Sequence, residues 1–377
     1  MRIACTQENL LQGLNIVGHV AGNNANLPVL GNVLLQTESG SLKISSTNLE
    51  MSVTCTVRGK IEQEGAYSVP AKLLLSYISL LPSGKVELVV TEEGLEVRSG
   101  DQETVIKGMA ASEFPLLPKL TKEKGFLLNA GEFKRALGQV VFAVSPSQSR
   151  PELGGVYCFF GDPANAGLVG FVATDSYRLA ERLMPYTGST ASVRAIVPAR
   201  ALVEAGRILG AYKDELGVPE EAELAFTENQ VVMSYGNVEM ISRLLEGNFP
   251  DYRAFIPQNF KTEVVLNRVE LKKAVSAASL FSRQGIQDIH FAFDPDSGAC
   301  TIKSADQGTG KTKTVLKGAV TGETNGVTLN YQYLNQGLDQ MSSDDVRIRQ
   351  IDAMNPLLVV PEGSKENYRY IVMPIRQ

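Results

Sequence analysis

The residues with the most recognisable chemical spacing are Gly308-Thr309-Gly310-Lys311-Thr312, which match the end of a phosphate-binding P-loop. A complete P-loop has a further glycine five residues before Gly310, and a helix follows it whose N-terminal amides bind phosphate. This chain has Ala305 at that position, and residues 313–317 alternate as a strand does. The string therefore predicts a hairpin turn. An ATPase stays open as an alternative, and nucleotide binding by the purified protein would test it.

Cysteine and histidine residues are too scattered to form a familiar metal or catalytic site. The four cysteines form no CxxC pair, and neither His19 nor His290 has a cysteine or a second histidine nearby in sequence. Widely spaced cysteines are typical of buried thiols in a reducing compartment. No GxSxG, HExxH or GxGxxG motif occurs in its required context. We therefore expect no metal, no cofactor and no enzymatic activity. The cysteines are Cys5, Cys55, Cys158 and Cys300.

Length and composition indicate a globular protein of two or three domains. The chain has 377 residues, of which 44% are hydrophobic and 20% charged, and a net charge of −5. No apolar run reaches the ~18 residues that a membrane helix needs, and the N-terminus lacks a signal-peptide pattern. We expect a cytoplasmic protein that does not associate with membranes. The acidic total argues against a protein that grips nucleic acid through many phosphates.

Internal repeats are the strongest signal of fold in the sequence. Val69-Pro70-Ala71-Lys72 recurs as Val197-Pro198-Ala199-Arg200, and both predict a helix that begins at the proline. A third helical stretch begins at Asn330 without a proline. An amphipathic helix precedes each of these, over residues 8–17, 132–141 and 270–280. Strands are predicted at residues 95–98, 231–235 and 346–349.

These repeats predict three α+β domains of about 125 residues each. We place the boundaries near Lys124 and Pro257, which gives domains at residues 1–124, 125–256 and 257–377. The apolar C-terminal run from Tyr368 to Ile375 has two interpretations. It is either a final edge strand that Pro374 ends, or an apolar patch that a partner covers.

Several phrases of the sequence resemble one known family, the bacterial DNA polymerase III β subunit, or β sliding clamp. They occur in that family's order along the whole chain. The phrases are Leu27-Pro28-Val29-Leu30-Gly31-Asn32, Thr47-Asn48-Leu49-Glu50-Met51, Ala173-Thr174-Asp175-Ser176-Tyr177-Arg178-Leu179-Ala180, Gly247-Asn248-Phe249-Pro250-Asp251-Tyr252 and Tyr370-Ile371-Val372-Met373-Pro374-Ile375-Arg376.

The resemblance implies three repeated DNA-clamp domains, each with two helices packed on β-sheets. It further implies a head-to-tail homodimeric ring, with helices lining the hole, that encircles duplex DNA without sequence preference. Such a ring is a non-catalytic processivity factor. It tethers the replicative polymerase, and its partners also include the clamp loader, repair polymerases and other clamp-binding-motif proteins. Because a ring is linked to DNA topologically, an acidic total charge is compatible with this function. Nucleoid association during replication is implied as well.

The resemblance also implies three sets of site residues. The partner-peptide pocket corresponds to Leu153, Thr174, Ser176, Tyr177, Arg178, Leu179, Pro250, Phe255, Ile286, Asn330, Tyr333, Met354, Pro356, Ile371, Val372, Met373, Pro374, Ile375 and Arg376. The DNA contacts correspond to Lys72, Arg150 and Arg200, and the dimer interface to Ile106, Leu280 and Phe281.

The chain departs from the family pattern at a few positions. No basic residue stands near Asn24, Ser176 occupies a common glycine position, Ala254 replaces a common arginine, and Gln377 ends the chain where an apolar residue is frequent. These departures predict one weaker DNA contact and an altered preference in the pocket. A monomeric repeat adaptor without DNA encirclement is the remaining alternative, and the mass in solution separates it from a dimer.

Overall fold

The structure is a computed structural model, and it describes residues 1–22, 26–38, 40–118, 125–212 and 219–376. Six α-helices lie within these ranges. They are α1 (Gln7–Val17), α2 (Ala71–Leu80), α3 (Ala130–Val141), α4 (Ala199–Ala211), α5 (Arg268–Ser279) and α6 (Tyr331–Asp339).

Short strands make up most of the remaining structure. They are β1 (Arg2–Thr6), β2 (Asn32–Glu38), β3 (Ser41–Thr47), β4 (Met51–Arg58), β5 (Lys60–Gln63), β6 (Gly65–Pro70), β7 (Lys85–Val90), β8 (Leu95–Ser99), β9 (Gln102–Ile106), β10 (Met109–Ala110), β11 (Phe126–Asn129), β12 (Gly155–Phe160), β13 (Leu168–Thr174), β14 (Arg178–Pro185), β15 (Thr187–Gly188), β16 (Val193–Pro198), β17 (Glu221–Phe226), β18 (Gln230–Tyr235), β19 (Val238–Arg243), β20 (Thr262–Asn267), β21 (Asp288–Asp294), β22 (Ala299–Asp306), β23 (Gly310–Lys317), β24 (Ala319–Gly322), β25 (Asn325–Asn330), β26 (Asp345–Gln350), β27 (Leu357–Pro361) and β28 (Asn367–Val372).

The six predicted helices are confirmed, and their starts follow from local chemistry. Pro70 and Pro198 are the last residues of β6 and β16, so α2 and α4 begin one residue later than predicted. Pro70 has a φ of −55°, which already suits the helix that follows it. At the third start, Asn330 replaces the proline, and its side chain accepts hydrogen bonds from the backbone N–H groups of Gln332 and Tyr333.

The chain forms two compact units. The first unit comprises Met1–Gly131, Thr187–Ser189 and Glu204–Leu244. It holds a five-stranded sheet in the order β5-β1-β7-β8-β9 and a ten-stranded sheet in the order β10-β6-β2-β3-β4-β19-β18-β17-β11-β15. Helix α1 packs against α2 and against strand β4. The first two repeats share the larger sheet through an antiparallel pair, β4 and β19.

The second unit comprises Glu132–Tyr186, Thr190–Val203 and Leu245–Gln377. Its nine-stranded sheet has the order β16-β12-β13-β14-β28-β27-β26-β20-β24, and its four-stranded sheet has the order β23-β22-β21-β25. Helix α5 packs against α6 and the four-stranded sheet. The pair β14 and β28 joins the second repeat to the third, just as β4 and β19 join the first to the second.

Strand β28 lies in the interior of its sheet, between β14 and β27. The interpretation of the C-terminal run as an edge strand is therefore wrong. Ile371 and Val372 are buried core residues, and only the chain beyond them leaves the sheet.

Two features of the sequence are resolved by the same topology. The P-loop-like residues form the end of the turn between β22 and β23 and the start of β23, so a hairpin turn and a strand are found here, as predicted. The four cysteines are free and buried, and burial raises the pKa of Cys5, Cys55 and Cys300 to about 12. Among the described residues, no helix is long and apolar enough to cross a membrane.

Candidate functional site

The turn between β13 and β14 is the centre of the predicted pocket. The Ser176 N–H donates to Thr174 Oγ1 at 3.1 Å, and the N–H groups of Tyr177 and Arg178 donate to Asp175 Oδ1 at 2.9 and 3.0 Å. Ser176 has a φ of 77°, a region that glycine adopts more readily than serine. This explains why glycine suits the position. The side chain at 176 is therefore retained at some cost in backbone strain.

The first repeat contains the same turn with the same bonds. Thr47 Oγ1 accepts from the Leu49 N–H at 3.1 Å, and Asn48 Oδ1 accepts from the N–H groups of Glu50 and Met51 at 3.0 and 2.9 Å. Leu49 has a φ of 75°. The sequence repeat at these positions is therefore a repeat of hydrogen bonds and backbone conformation.

Arg178 fixes the turn to the start of α6. Its buried guanidinium donates to Asp175 Oδ2 at 3.0 Å, to the Phe142 carbonyl at 2.8 Å and to the side chain of Gln336. It also lies over the rings of Phe142 and Tyr333, 5.2 and 4.8 Å from their centroids. With its donors committed in this way, Arg178 shapes the pocket and is not a free donor for a peptide.

Three tyrosines connect the turn, α6 and the C-terminal segment. The Tyr177 side chain is 62% exposed and stacks on Tyr333 with the ring centroids 6.3 Å apart. The Tyr177 carbonyl accepts from the Met373 N–H at 2.9 Å. The Tyr370 hydroxyl donates to the Tyr333 carbonyl at 2.7 Å. A methyl group added at Gly337 would come within 2.1 Å of the Tyr370 ring, so the helix can approach this closely only with glycine there.

Beyond β28 the chain forms a short half-buried segment. Met373, Pro374 and Ile375 are partly exposed and Arg376 is exposed. The Ile375 N–H donates to the Thr328 carbonyl at 2.8 Å, which holds this segment against strand β25. The predicted tail residues thus lie beside Tyr177 at one end and β25 at the other.

Several predicted pocket residues lie beneath this surface. Leu179 and Ile371 belong to one buried cluster with Tyr252 and Ile256. These side chains pack beneath the surface and leave little accessible area that a ligand could contact. Leu153, Thr174 and Val372 are buried as well.

The remaining predicted residues supply exposed apolar surface. Phe255, Ile286 and Met354 are 53%, 42% and 58% exposed, which is unusual for large apolar side chains. Pro356 directly precedes Leu357, which pairs with Val372 at the end of β28. Pro250 lines a separate cavity of about 270 Å³ together with Phe249 and Tyr157.

A groove of about 1050 Å³ includes part of the predicted pocket and extends beyond it. Ile286, Ile375 and Arg376 line it, as predicted. Five basic residues that the sequence prediction omitted also line it, namely Arg283, His290, Lys303, Lys311 and Lys313. The spacing of Lys311 and Lys313 on a predicted strand was the available signal, because alternate residues face the same side.

The residues predicted to contact DNA are exposed. Those predicted for the dimer interface differ from one another in how exposed they are. Lys72 and Arg200 are each the second residue of a helix, α2 and α4, and Arg150 is exposed beside Glu152. Leu280 is 73% exposed at the end of α5, and Phe281 is half-buried.

Ile106 is only 4% exposed, whereas its neighbour Val105 is 40% exposed.

Of the four departures from the family pattern, Asn24 and Gln377 lie outside the described residues, as does the boundary residue Lys124. Ala254 is exposed.

Comparisons with known proteins agree along the whole chain. Structures of sliding clamps from Bacillus subtilis and Pseudomonas aeruginosa are each 25% identical, with TM-scores of 0.92 and 0.91. The alignments cover 100% of this chain and 99% and 100% of those chains, and the Pseudomonas protein is bound to griselimycin. The "Beta sliding clamp" of Synechococcus elongatus is 27% identical and that of Staphylococcus aureus 26%, over 100% of this chain and 99% of each relative.

Three domain families match in succession. The N-terminal, central and C-terminal domains of the DNA polymerase III beta subunit match residues 1–118, 127–251 and 253–376. Because these matches cover nearly every residue in the family's own domain order, the chain belongs to the DNA polymerase III beta subunit family.

Proposed function

We propose that this protein is a DNA sliding clamp, a processivity factor that encircles duplex DNA and tethers the replicative polymerase. It is a non-catalytic accessory subunit of DNA polymerase III, consistent with its family. It acts in the cytoplasm, where bacterial DNA is replicated. We place its three domains at residues 1–124, 125–256 and 257–377.

The repeated joint between sheets is the observation that supports a ring. Within the chain, β4 pairs with β19 and β14 pairs with β28, so each repeat offers one strand to the repeat that follows. By this repetition, β23 of the third repeat and β9 of the first repeat are the strands left without a neighbour. Each is the last strand of its sheet. A second copy of the chain, arranged head to tail, would pair β9 of each copy with β23 of the other and so close the ring at two joints.

The side chains at the two free edges fit such a joint. Val105 on β9 and Val315 on β23 are 40% and 51% exposed, and Leu280 projects from the neighbouring helix. A dimer would bury all three. Because Ile106 is already buried in its own repeat, we assign the contact on β9 to Val105. Leu280 and Phe281 of the other copy remain the proposed contacts on the opposite side of the joint.

Helix starts supply the proposed contacts with DNA. Lys72 and Arg200 are exposed and have no ion pair with any residue that the structure describes. Arg150 is paired with Glu152, so it contributes less positive charge. A few cations are sufficient because a closed ring is held on DNA topologically, and many tight phosphate contacts would slow sliding.

Replacing both Lys72 and Arg200 by alanine should weaken binding to linear duplex DNA and flatten the dependence of this affinity on salt. Each cation that leaves a phosphate contact lowers the slope of log affinity against log salt by about 0.9. A dimer carries each residue twice, so the expected reduction is about 2 to 4. Sequence preference should not change, because phosphate contacts carry no base information. Binding measured between 50 and 200 mM salt tests this, and an unchanged slope would exclude these residues from the DNA path.

The exposed apolar surface around Tyr177 and the C-terminal segment is the proposed docking site for partner proteins. Its ligand is a short peptide motif with glutamine and hydrophobic residues, from the polymerase, the clamp loader or repair proteins. Peptide affinity measured by calorimetry tests this assignment. A monomeric repeat adaptor would bind such a peptide too, but its mass in solution would be 40.8 kDa and not twice that value.

A further inference from the structure

One face of the four-stranded sheet β23-β22-β21-β25 is unusually basic. The opposite face packs on α5 through buried residues such as Ile302. On the exposed face, His290 pairs with Lys303, and Lys303 pairs with Lys313. Paired residues stand side by side about 4.8 Å apart on one face of a sheet. Lys311 follows on the same face of β23. We call this surface, formed by His290, Lys303, Lys311 and Lys313, the basic face.

Within the single chain, the charge of this face is not neutralised by neighbouring carboxylates. Lys303, Lys311 and Lys313 form no ion pair with any part of the chain that the structure describes. Arg283 at the rim is paired with Asp288. Burial, the largest single influence, would raise the pKa of that carboxyl, but the hydrogen bond and charge of Arg283 together with backbone hydrogen bonds lower it. The groups around His290 are therefore mostly cationic.

The net charge of the third repeat is positive, like that of the basic face. Residues 257–377 hold 14 basic and 13 acidic side chains, whereas the whole chain has a net charge of −5. A positive surface on an acidic protein attracts an acidic ligand selectively.

The basic face continues directly from the proposed peptide pocket. Ile286, Ile375 and Arg376 belong to the pocket and line the same groove of about 1050 Å³ as Lys303 and Lys313. The hydrogen bond from the Ile375 N–H to Thr328 places the C-terminal segment along β25, next to β21. A peptide seated against this segment would have one of its flanks above the lysines.

We infer that the basic face binds acidic residues that flank the pocket-binding motif of partner proteins. This inference rests on the proposed peptide pocket and adds a second element to what that pocket selects. Carboxylates of an extended peptide stand about 6.6 Å apart on one side, a spacing that the rows of lysines can meet. Nucleic acid is the less favoured ligand, because the face adjoins the peptide pocket and lies on a sheet, whereas the proposed DNA contacts lie at helix starts.

Two peptides that differ only in charge test the inference. Both carry a glutamine-containing hydrophobic motif; one has a flank of three glutamates, and the other has three glutamines there. At 50 mM salt, the acidic peptide should bind the unaltered dimer about tenfold more tightly, as expected for three exposed ion pairs. The double variant Arg283→Gln, Lys303→Gln, which leaves the edge strand β23 and the dimer joint unaltered, should lose most of this difference while it binds the glutamine peptide normally. A control variant, Lys273→Gln with Lys365→Gln, removes the same charge from other exposed positions and should retain the full difference.

The outcomes separate this inference from the proposed function. If neither peptide bound, the pocket itself would be wrong, and the inference would fall with it. If both peptides bound equally, or if the charge difference survived in the double variant, the pocket would stand and the basic face would not contribute. If the double variant lost affinity for a single-stranded oligonucleotide but not for the acidic peptide, the face would be a nucleic-acid surface.

The pKa of His290 reports directly whether the acidic flank binds at the basic face. Burial and the neighbouring Lys303 lower its pKa below the ordinary value. The charged groups in the groove around it are Lys303, Lys311, Lys313, Asp288, Arg283 and Arg376. A bound acidic flank would raise the pKa of His290 towards or above 6.5, whereas the glutamine peptide would not. NMR titration resolves this because the chain has only two histidines. An unchanged His290 pKa with bound acidic peptide would contradict the inference.

Discussion

Deleting residues 373–377 is expected to abolish binding of the glutamine-containing peptide, with a loss of affinity of about 100-fold or more. The deletion removes Met373, Pro374 and Ile375, which form the half-buried segment between Tyr177 and β25. Residues that line the centre of a peptide site each contribute about 2 kcal/mol or more, and 2.7 kcal/mol corresponds to 100-fold. Isothermal calorimetry with the neutral peptide measures the loss.

The fold should tolerate this deletion because β28 ends at Val372 and keeps both neighbours, β14 and β27. Two backbone hydrogen bonds are lost, from the N–H groups of Met373 and Ile375, at about 0.5–1.5 kcal/mol each. The melting temperature should therefore fall by only a few degrees. Deletion of Gln377 alone is the control, and it should keep the neutral peptide bound. Full-strength binding after the longer deletion would show that the pocket lies elsewhere.

Replacing Leu280 and Phe281 together by alanine is expected to convert the dimer largely to monomer. Leu280 is 73% exposed in the single chain, which is costly unless a partner covers it. Burying a large apolar side chain contributes about 1.5–3 kcal/mol, so each joint loses about 3–6 kcal/mol. A closed dimer has two joints, and the loss counts twice. Sedimentation at sub-micromolar concentration should show a mass near 40.8 kDa.

A leucine at another exposed site gives the matched control for this variant. Leu80 at the end of α2 is 80% exposed, and Leu80→Ala should leave the dimer intact. A dimer that persisted in the Leu280 and Phe281 variant, with the same mass as the Leu80 control, would contradict the assigned joint. Phe281 also offers its carbonyl to the Ser304 hydroxyl, but the alanine variant retains this backbone acceptor.

Local elements of this protein could be predicted from its sequence because their signals are local. Helical spacing located α1, α3 and α5, and the Val-Pro-Ala phrases located α2 and α4 to within one residue. The turn at Gly308 could be distinguished from a P-loop because residues 313–317 alternate as a strand. The repeat of phrases was sufficient to predict three α+β units, and the family matches agree with it.

Strand neighbours could not be predicted, because they depend on pairing over long distances in sequence. Nothing near Tyr370 indicates that β28 lies between β14 and β27, so an edge strand was a reasonable but wrong interpretation. The role of Arg178 was hidden for the same reason. Its partners Phe142 and Gln336 come from distant parts of the chain, and only the fold shows that its donors are occupied.

Run-off from DNA tests the central claim of a closed ring most directly. The protein is loaded by a bacterial clamp loader onto a nicked circular plasmid and isolated by gel filtration in 0.5 M salt. One half of the sample is then linearised by a single restriction cut. A topological link predicts that the protein stays on the circle and leaves the linear DNA, because salt screens phosphate contacts but does not open the ring. Equal retention on circular and linear DNA, or equal loss from both in salt, would contradict encirclement.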